Sequence, residues 1–205
     1  MIVTDIIDIN KKKCKVYIDN EFAFALYKGE LHSYDIYKEE EISSHNYELI
    51  MKELLPKRAV LRAMNLLKER SYTRMQLVQK LKENYYCGEH IDSAINYVKS
   101  YGYLDDFKYA TDFIIYRASQ LSKKQIELKL LQKGIEGNVI EQAFQAFYED
   151  GNEIEEEKQI QSFLVKKKSL LIDEKQKQKI ICTLLRKGFS MEKIRSVARE
   201  VEIEI

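Results

Sequence analysis

Tryptophan is absent, and one proline and seven glycines are all that punctuate 205 residues. So few breakers exclude a turn-rich all-β sandwich as the main architecture and point to helices. Cysteine is scarce: Cys14, Cys87 and Cys182 lie far apart, with no C-x-x-C spacing. That excludes a disulfide framework and a zinc knuckle, and it suits a reducing compartment. The histidines, His32, His45 and His90, are equally scattered. No apolar run approaches the ~20 residues of a membrane span. Asp5 and Asp8 interrupt the stretch where a signal peptide needs an unbroken apolar core. The expectation is a cytoplasmic protein with no membrane contact, no metal and no cofactor.

Charge is plentiful but balanced. Lys and Arg number 34 against 33 Asp and Glu, for a net charge of +1. A neutral whole argues against a simple, strongly basic DNA binder. The distribution is uneven: residues 1–55 carry −4, 56–106 carry +3, 107–156 carry −3 and 157–205 carry +5. Alternating patches permit a surface that touches both a protein and a nucleic-acid backbone. Chance variation along a solvated helical chain is the bland alternative, and it is weakest for the last segment.

The amino-terminal stretch differs from the rest. Ile2–Ile9, Lys15–Asp19 and Glu21–Tyr27 are rich in Ile, Val, Phe and Tyr, and Asp19-Asn20 stands between two of these runs. The pattern predicts a small β-hairpin or three-strand meander that must lean on a helix. A short helix over Glu30–Tyr37 and a longer one over Ser44–Leu55 follow, and Pro56 fits the first turn of a new helix.

Beyond Pro56 the helical period takes over. Ile91, Ala94, Ile95 and Val98 follow i, i+3, i+4, i+7, as do Val139, Ile140, Ala143, Phe144 and Phe147 with one extra position. Nine helices are expected there, arranged as three repeats of three. Leu130–Ile135 (LLQKGI) matches Leu184–Phe189 (LLRKGF). In both, Gly134 or Gly188 reads as a left-handed helix end, and an isoleucine, Ile140 or Ile194, follows six residues later. The first repeat offers Asn84 as the cap, which leaves Ile91 one residue late. The expected domains are 1–56, 57–106, 107–156 and 157–205, and stacked triplets make an elongated, curved body.

Between the first two repeats stands Gly102-Tyr103-Leu104-Asp105-Asp106, then Tyr109-Ala110, Phe113, Arg117, Ile126, Leu130 and Lys133-Gly134-Ile135. Read from the residues, Gly102 ends a helix, Tyr103 and Leu104 insert into the seam between repeats, Asp105 caps the next helix and Asp106 sits in its first turn. A metal-dependent nuclease built on the two aspartates is the sharper alternative. No third carboxylate, base or phosphate-cradling glycine loop joins them. The same residues, GYLDD followed by YA, Arg and KGI, resemble the RecX family, bacterial regulators of the RecA recombinase. The resemblance covers residues 57–202, and the amino-terminal β segment looks like an extension carried by some members. One departure is Ser122, where many members have glycine.

The resemblance implies a protein without enzymatic activity, acting as a monomer. Its partner would be the RecA filament on single-stranded DNA, with weak DNA-backbone contact. Lying in the filament groove, it would inhibit ATP hydrolysis, strand exchange and repressor autocleavage. Direct DNA binding by a helical repeat protein is the alternative. Candidate contact residues are basic. Arg58 and Arg62 lie one helical turn apart and share a stripe. Arg70 and Arg74 flank Tyr72, inviting a stacking role. Arg117 follows an apolar face, where it either reaches a partner or lies along the seam. Lys123 and Lys124 open a helix, a natural phosphate contact. Lys166, Lys167 and Lys168 end a helix, where the dipole alone favours cations. With Lys175 and Lys179 they form the best candidate electrostatic surface. The acidic run Glu153, Glu155, Glu156 and Glu157 after Gly151 reads as a soft hinge between the second and third repeats.

Overall fold

Val3–Asp8 (β1), Lys13–Ile18 (β2) and Glu21–Tyr27 (β3) pair in sequence order as an antiparallel meander. This computed structural model describes residues 1–168 and 173–202. Asp19 and Asn20 both have positive φ, 49° and 70°, which a two-residue turn of the primed type requires. Cys14, Val16 and Ile18 alternate inward along β2 and, apart from Cys14, share a core with Val3, Phe24, Leu26, Ile36, Ile42, Ile50 and Leu55.

The helices after the sheet differ from expectation in detail. Lys28–Ser33 (α1) starts two residues early because the Glu30 carboxylate accepts the Tyr27 backbone N–H at 2.8 Å. It stops early because Asp35 turns left-handed, with φ of 50°. Ser44–Leu49 (α2), capped by Ser43, does not end before Pro56. It runs through a π-helical turn, Ile50–Leu54, into Leu55–Glu69 (α3). Pro56 has no N–H to give, and its ring crowds the carbonyl four residues back. A widened turn just before it absorbs both problems without breaking the helical path.

The chain divides into two compact units, Met1–Asp105 and Asp106–Ile205. In the first, α3 packs with Arg74–Lys82 (α4) and Gly88–Ser100 (α5) around Ala59, Ala63, Leu66, Leu77, Leu81, Ile91, Ile95 and Val98. Buried His90 donates Nε2–H to the Met51 carbonyl at 2.8 Å, leaving Nδ1 to accept from the Cys87 thiol at 3.1 Å. It is a satisfied core histidine that ties the π turn to α5. In the second unit, Asp106–Arg117 (α6), Lys123–Gln132 (α7) and Gly137–Glu149 (α8) enclose Ile114, Ile126, Leu130, Ile140, Phe144 and Phe147. Glu156–Lys167 (α9), Glu174–Arg186 (α10) and Met191–Glu200 (α11) enclose Ile160, Leu164, Leu184, Phe189, Ile194 and Val197. Residues 169–172 and 203–205, within the expected third domain, lie outside the described residues.

The middle helices α4, α7 and α10 end alike. Gly134 and Gly188 have φ of 78° and 90°. Behind them the Ile135 N–H reaches the Leu130 carbonyl, and the Phe189 N–H the Leu184 carbonyl. This is the double-bonded left-handed helix end. In α4 the same position is held by Tyr85, φ 68°, with the Tyr86 N–H on the Leu81 carbonyl. The expectation of Asn84 as the cap is therefore corrected by one residue. Measured from Tyr85, Ile91 lies six residues on, where Ile140 and Ile194 stand in the other two. Gly102 is left-handed as expected, φ 70°. Leu104 is buried, but Tyr103 is 57% exposed and stacks on Tyr101 at 6.1 Å. Its insertion into a seam is also corrected: the left-handed turn at Gly102 directs Leu104, not Tyr103, into the core of the first unit. Helix α6 begins at Asp106, directly after Asp105.

Candidate protein and nucleic-acid interface

Helix α3 carries two of the candidate cations, and the sheet meets them. Arg58 hydrogen-bonds the Glu30 carboxylate through Nη2 and keeps only 15% of its side chain exposed. Its guanidinium and the Lys13 ammonium each lie 4.9 Å from the centre of the Tyr27 ring. Arg62, one turn on, is half-buried, with no ion pair among the described residues. Arg58 Nη1 and Arg62 Nε are buried without hydrogen-bond partners. Around these groups lies a cleft of about 500 Å³ that Tyr86, Asn65 and Glu83 also line. Burial pushes the Lys13 ammonium below its usual pKa, Arg58 and Arg62 push it further, and Glu30 opposes them. Lys13 was not among the sequence candidates. Nothing local marks it; only the pairing of Lys13 with Tyr27 across β2 and β3 brings it to α3.

The other candidates are placed differently. Arg70 lies over the Tyr72 ring at 4.5 Å, and Tyr72 is buried in the core. The ring is therefore no free stacking platform. Arg74 is exposed in the first turn of α4. Arg117 bonds Gln120 at 2.7 Å through Nη1 and covers the Tyr116 ring at 4.8 Å, with Nε buried and unpartnered. It lies along its own helix rather than projecting outward.

The amino end of α7 is already occupied. The Lys123 backbone N–H donates to Glu156 Oε1 at 3.0 Å, and Lys193 Nζ donates to Glu156 Oε2 at 2.6 Å. An internal carboxylate thus takes the place that a phosphate at this helix end would need. Lys123 Nζ lies over the Phe144 and Tyr148 rings, while Lys124 is exposed. Hydrogen bonding to Glu156 holds the Lys193 ammonium above its usual pKa. Gln159 donates to the Ala118 carbonyl at 2.8 Å. Ser122 caps α7 by accepting the Gln125 N–H, and its hydroxyl donates to the Lys187 carbonyl. The expected soft hinge is corrected: Glu156, in that acidic run, latches α9 to α7 and α11. Ser122, the residue that departs from the resemblance, does the same from α7 to the end of α10.

Lys166 and Lys167 end α9 and Lys168 caps it, all exposed. Lys175 and Lys179, four apart on α10, are exposed on one face. Among the described residues, no group of three or more His, Cys, Asp or Glu side chains is placed to hold a metal ion. No helix among them is long and apolar enough to cross a membrane.

No family model matches the chain. It is 32% identical over 196 residues to the regulatory protein RecX of Caldanaerobacter subterraneus subsp. tengcongensis, covering 95% of this chain and 96% of that protein. To a regulatory protein RecX of Clostridium botulinum it is 27% identical over 201 residues, covering 93% and 91%. A crystal structure of a regulatory protein RecX superposes with a TM-score of 0.62 at 21% identity, covering 98% of both chains. RecX from Lactobacillus salivarius gives 0.59 at 22% identity, covering 72% of this chain and 97% of that one. These two likenesses concern the fold: a mainly helical chain, in this case with a small amino-terminal antiparallel sheet.

Proposed function

The chain belongs to the RecX family, and on that premise we propose that it regulates RecA by binding its filament on single-stranded DNA. The binding is in the helical groove, and the effect is inhibition of ATP hydrolysis, strand exchange and coprotease activity. The observation that carries this reading is the 32% identity maintained across 95% of the chain. Residues 57–106, 107–156 and 157–205 act as three tandem units along the filament. A set of weak contacts to a repeating partner gains affinity by multivalency.

Surface composition supports a protein partner. Leu61 and Tyr103 in the first helix triplet, Tyr116 and Leu128 in the second, and Val165 and Leu185 in the third are all at least 40% exposed. Each triplet thus offers large apolar side chains that a protein partner would cover. The basic groups then fall into two kinds. Arg58, Arg62, Arg70 and Arg117 are engaged by rings or neighbouring polar groups, or are partly buried. Lys124, Lys166, Lys167, Lys168, Lys175 and Lys179 are exposed, so an acidic filament surface or a DNA backbone reaches them without rearrangement.

The test is single-stranded-DNA-dependent ATP hydrolysis by RecA with this protein titrated in. Inhibition well below one molecule per RecA protomer is expected. An unchanged rate at equimolar protein overturns the reading. The triple reversal of Lys166, Lys167 and Lys168 to Glu is expected to weaken inhibition while leaving the thermal unfolding midpoint within a few degrees. Unaltered inhibition removes that run from the interface. The direct DNA-binding alternative rests on the same exposed lysines. It predicts RecA-independent affinity that falls steeply with salt.

A further inference from the structure

The first unit contains a cluster of cations to which the proposed regulation assigns no role. Lys13 on β2 and Arg58 and Arg62 on α3 converge on one cleft of about 500 Å³. Of the carboxylates there, Glu30 bonds Arg58, and Glu83 is held by its own Lys80 at 2.7 Å. Asp8, nearby on β1, is paired with Lys28. Three cations therefore share one carboxylate, Glu30, and two positive charges are left uncompensated in a half-buried site.

Such an arrangement is costly when empty. Like charges repel more strongly where water is partly excluded. The two buried guanidinium nitrogens, Arg58 Nη1 and Arg62 Nε, lack acceptors, and an unmet buried donor carries a desolvation penalty. The lowered pKa of Lys13, caused first by burial and then by both arginines, reports the same field. The cation–aromatic contacts at Tyr27 hold Lys13 and Arg58 in position but neutralise neither.

We propose that this cleft is a phosphate-binding site, with Lys13, Arg58 and Arg62 as its ligating cations. A carboxylate presents two oxygens, and Glu30 already supplies such a group to Arg58. A phosphate presents more oxygens in a tetrahedral array, which suits donors converging from a strand and from two turns of a helix. Guanidinium groups pair with phosphate through parallel N–H bonds, and the lysine adds a point charge. The phosphate comes either from a nucleic-acid backbone or from a free phosphate or nucleotide. Asn65 and Tyr86 on the cleft wall offer an amide and a phenol beside it. The site is independent of the RecA reading, because it lies within residues 1–105 and needs no filament.

The experiment follows the arginine Nε–H resonances of the full-length protein by NMR at fixed ionic strength, with Arg62→Gln assigning the Arg62 signal. Three titrants are used separately: inorganic phosphate, an oligothymidylate and acetate. A saturable shift of the Arg62 signal with phosphate, with the oligonucleotide or with both is expected. The first alone identifies a free-phosphate site, and the second alone a backbone site. Lys13→Gln, which leaves α3 untouched, is expected to bind the effective titrant about tenfold more weakly, the loss of one charge-assisted contact. No saturable shift with either phosphate source overturns the proposal. So does an equal response to acetate, or unchanged affinity in Lys13→Gln.

Discussion

Two glycines with the same backbone handedness differ in what surrounds them. Gly102 and Gly188 both have positive φ, but a Cβ on Gly102 meets nothing within 4 Å. On Gly188 it falls 2.7 Å from Lys124 Cβ and 3.1 Å from Ser122 Oγ. Gly102→Ala is therefore expected to cost about 1 kcal/mol, the left-handed strain alone. Gly188→Ala costs more than about 2 kcal/mol, because α7 must move as well. Urea midpoints of the two variants check the order. Ser122→Ala removes a helix cap and a buried hydrogen bond together, and is expected to cost about 2 kcal/mol. The Glu156–Lys193 pair has a pH signature. The folded state raises the Lys193 pKa above 10.5. Its contribution is fully present below the unfolded value and is lost as pH climbs through the folded one. Because Lys193 is 47% exposed, that contribution stays below about 1 kcal/mol. The stability gap between the wild type and Lys193→Gln is expected to persist at lower pH and to close as pH rises above 10.5.

Among the elements, the helix ends carry the most information. Gly134 and Gly188 are visible as caps in the sequence because only glycine takes that geometry freely. Tyr85 is invisible by the same logic: a tyrosine at φ 68° is strained, and no residue preference announces it. What holds it is tertiary, since Lys15 Nζ lies 4.6 Å from the Tyr85 ring centre and Phe22 packs against it at 6.4 Å. The sheet thus fixes the end of α4. Asn20 shows the reverse case, a left-handed position with a permissive residue. Asn20→Gly is expected to stabilise the β2–β3 turn by a few tenths of a kcal/mol, since glycine meets no steric penalty at that φ. A lowered thermal midpoint would show instead that the asparagine side chain holds the turn. The second and third helix triplets were legible because Ile140 and Ile194 each stand six positions after a glycine cap, whereas in the first the cap read from the sequence, Asn84, was one residue off.

Across the molecule, the two compact units separate at Asp105 and Asp106. Leu130 is fully buried in the second. Leu130→Ala is expected to cost about 2–5 kcal/mol through lost burial and a residual cavity. Hydrogen exchange should then accelerate across α6–α8, while amides of β1–β3 and α3–α5 keep their protection. Equal loss of protection in Met1–Asp105 would mean that the chain unfolds as one cooperative body.

Composition and periodicity determined the class of this protein. Scarce proline and glycine with an unbroken apolar period leave few alternatives to helices, and an alternating run around Asp19-Asn20 leaves few to a small sheet. The GYLDD and KGI segments carried the family, because they combine caps and core positions that one chain segment contains in full. The cationic cleft and the Glu156 latch were decided by folding. Lys13 and Arg62 are 49 residues apart, as Glu156 and Lys193 are 37 apart. No local preference encodes such meetings. They follow from which faces the cores bury, and burial then sets which charges are paired, which rings are covered and which cations remain exposed.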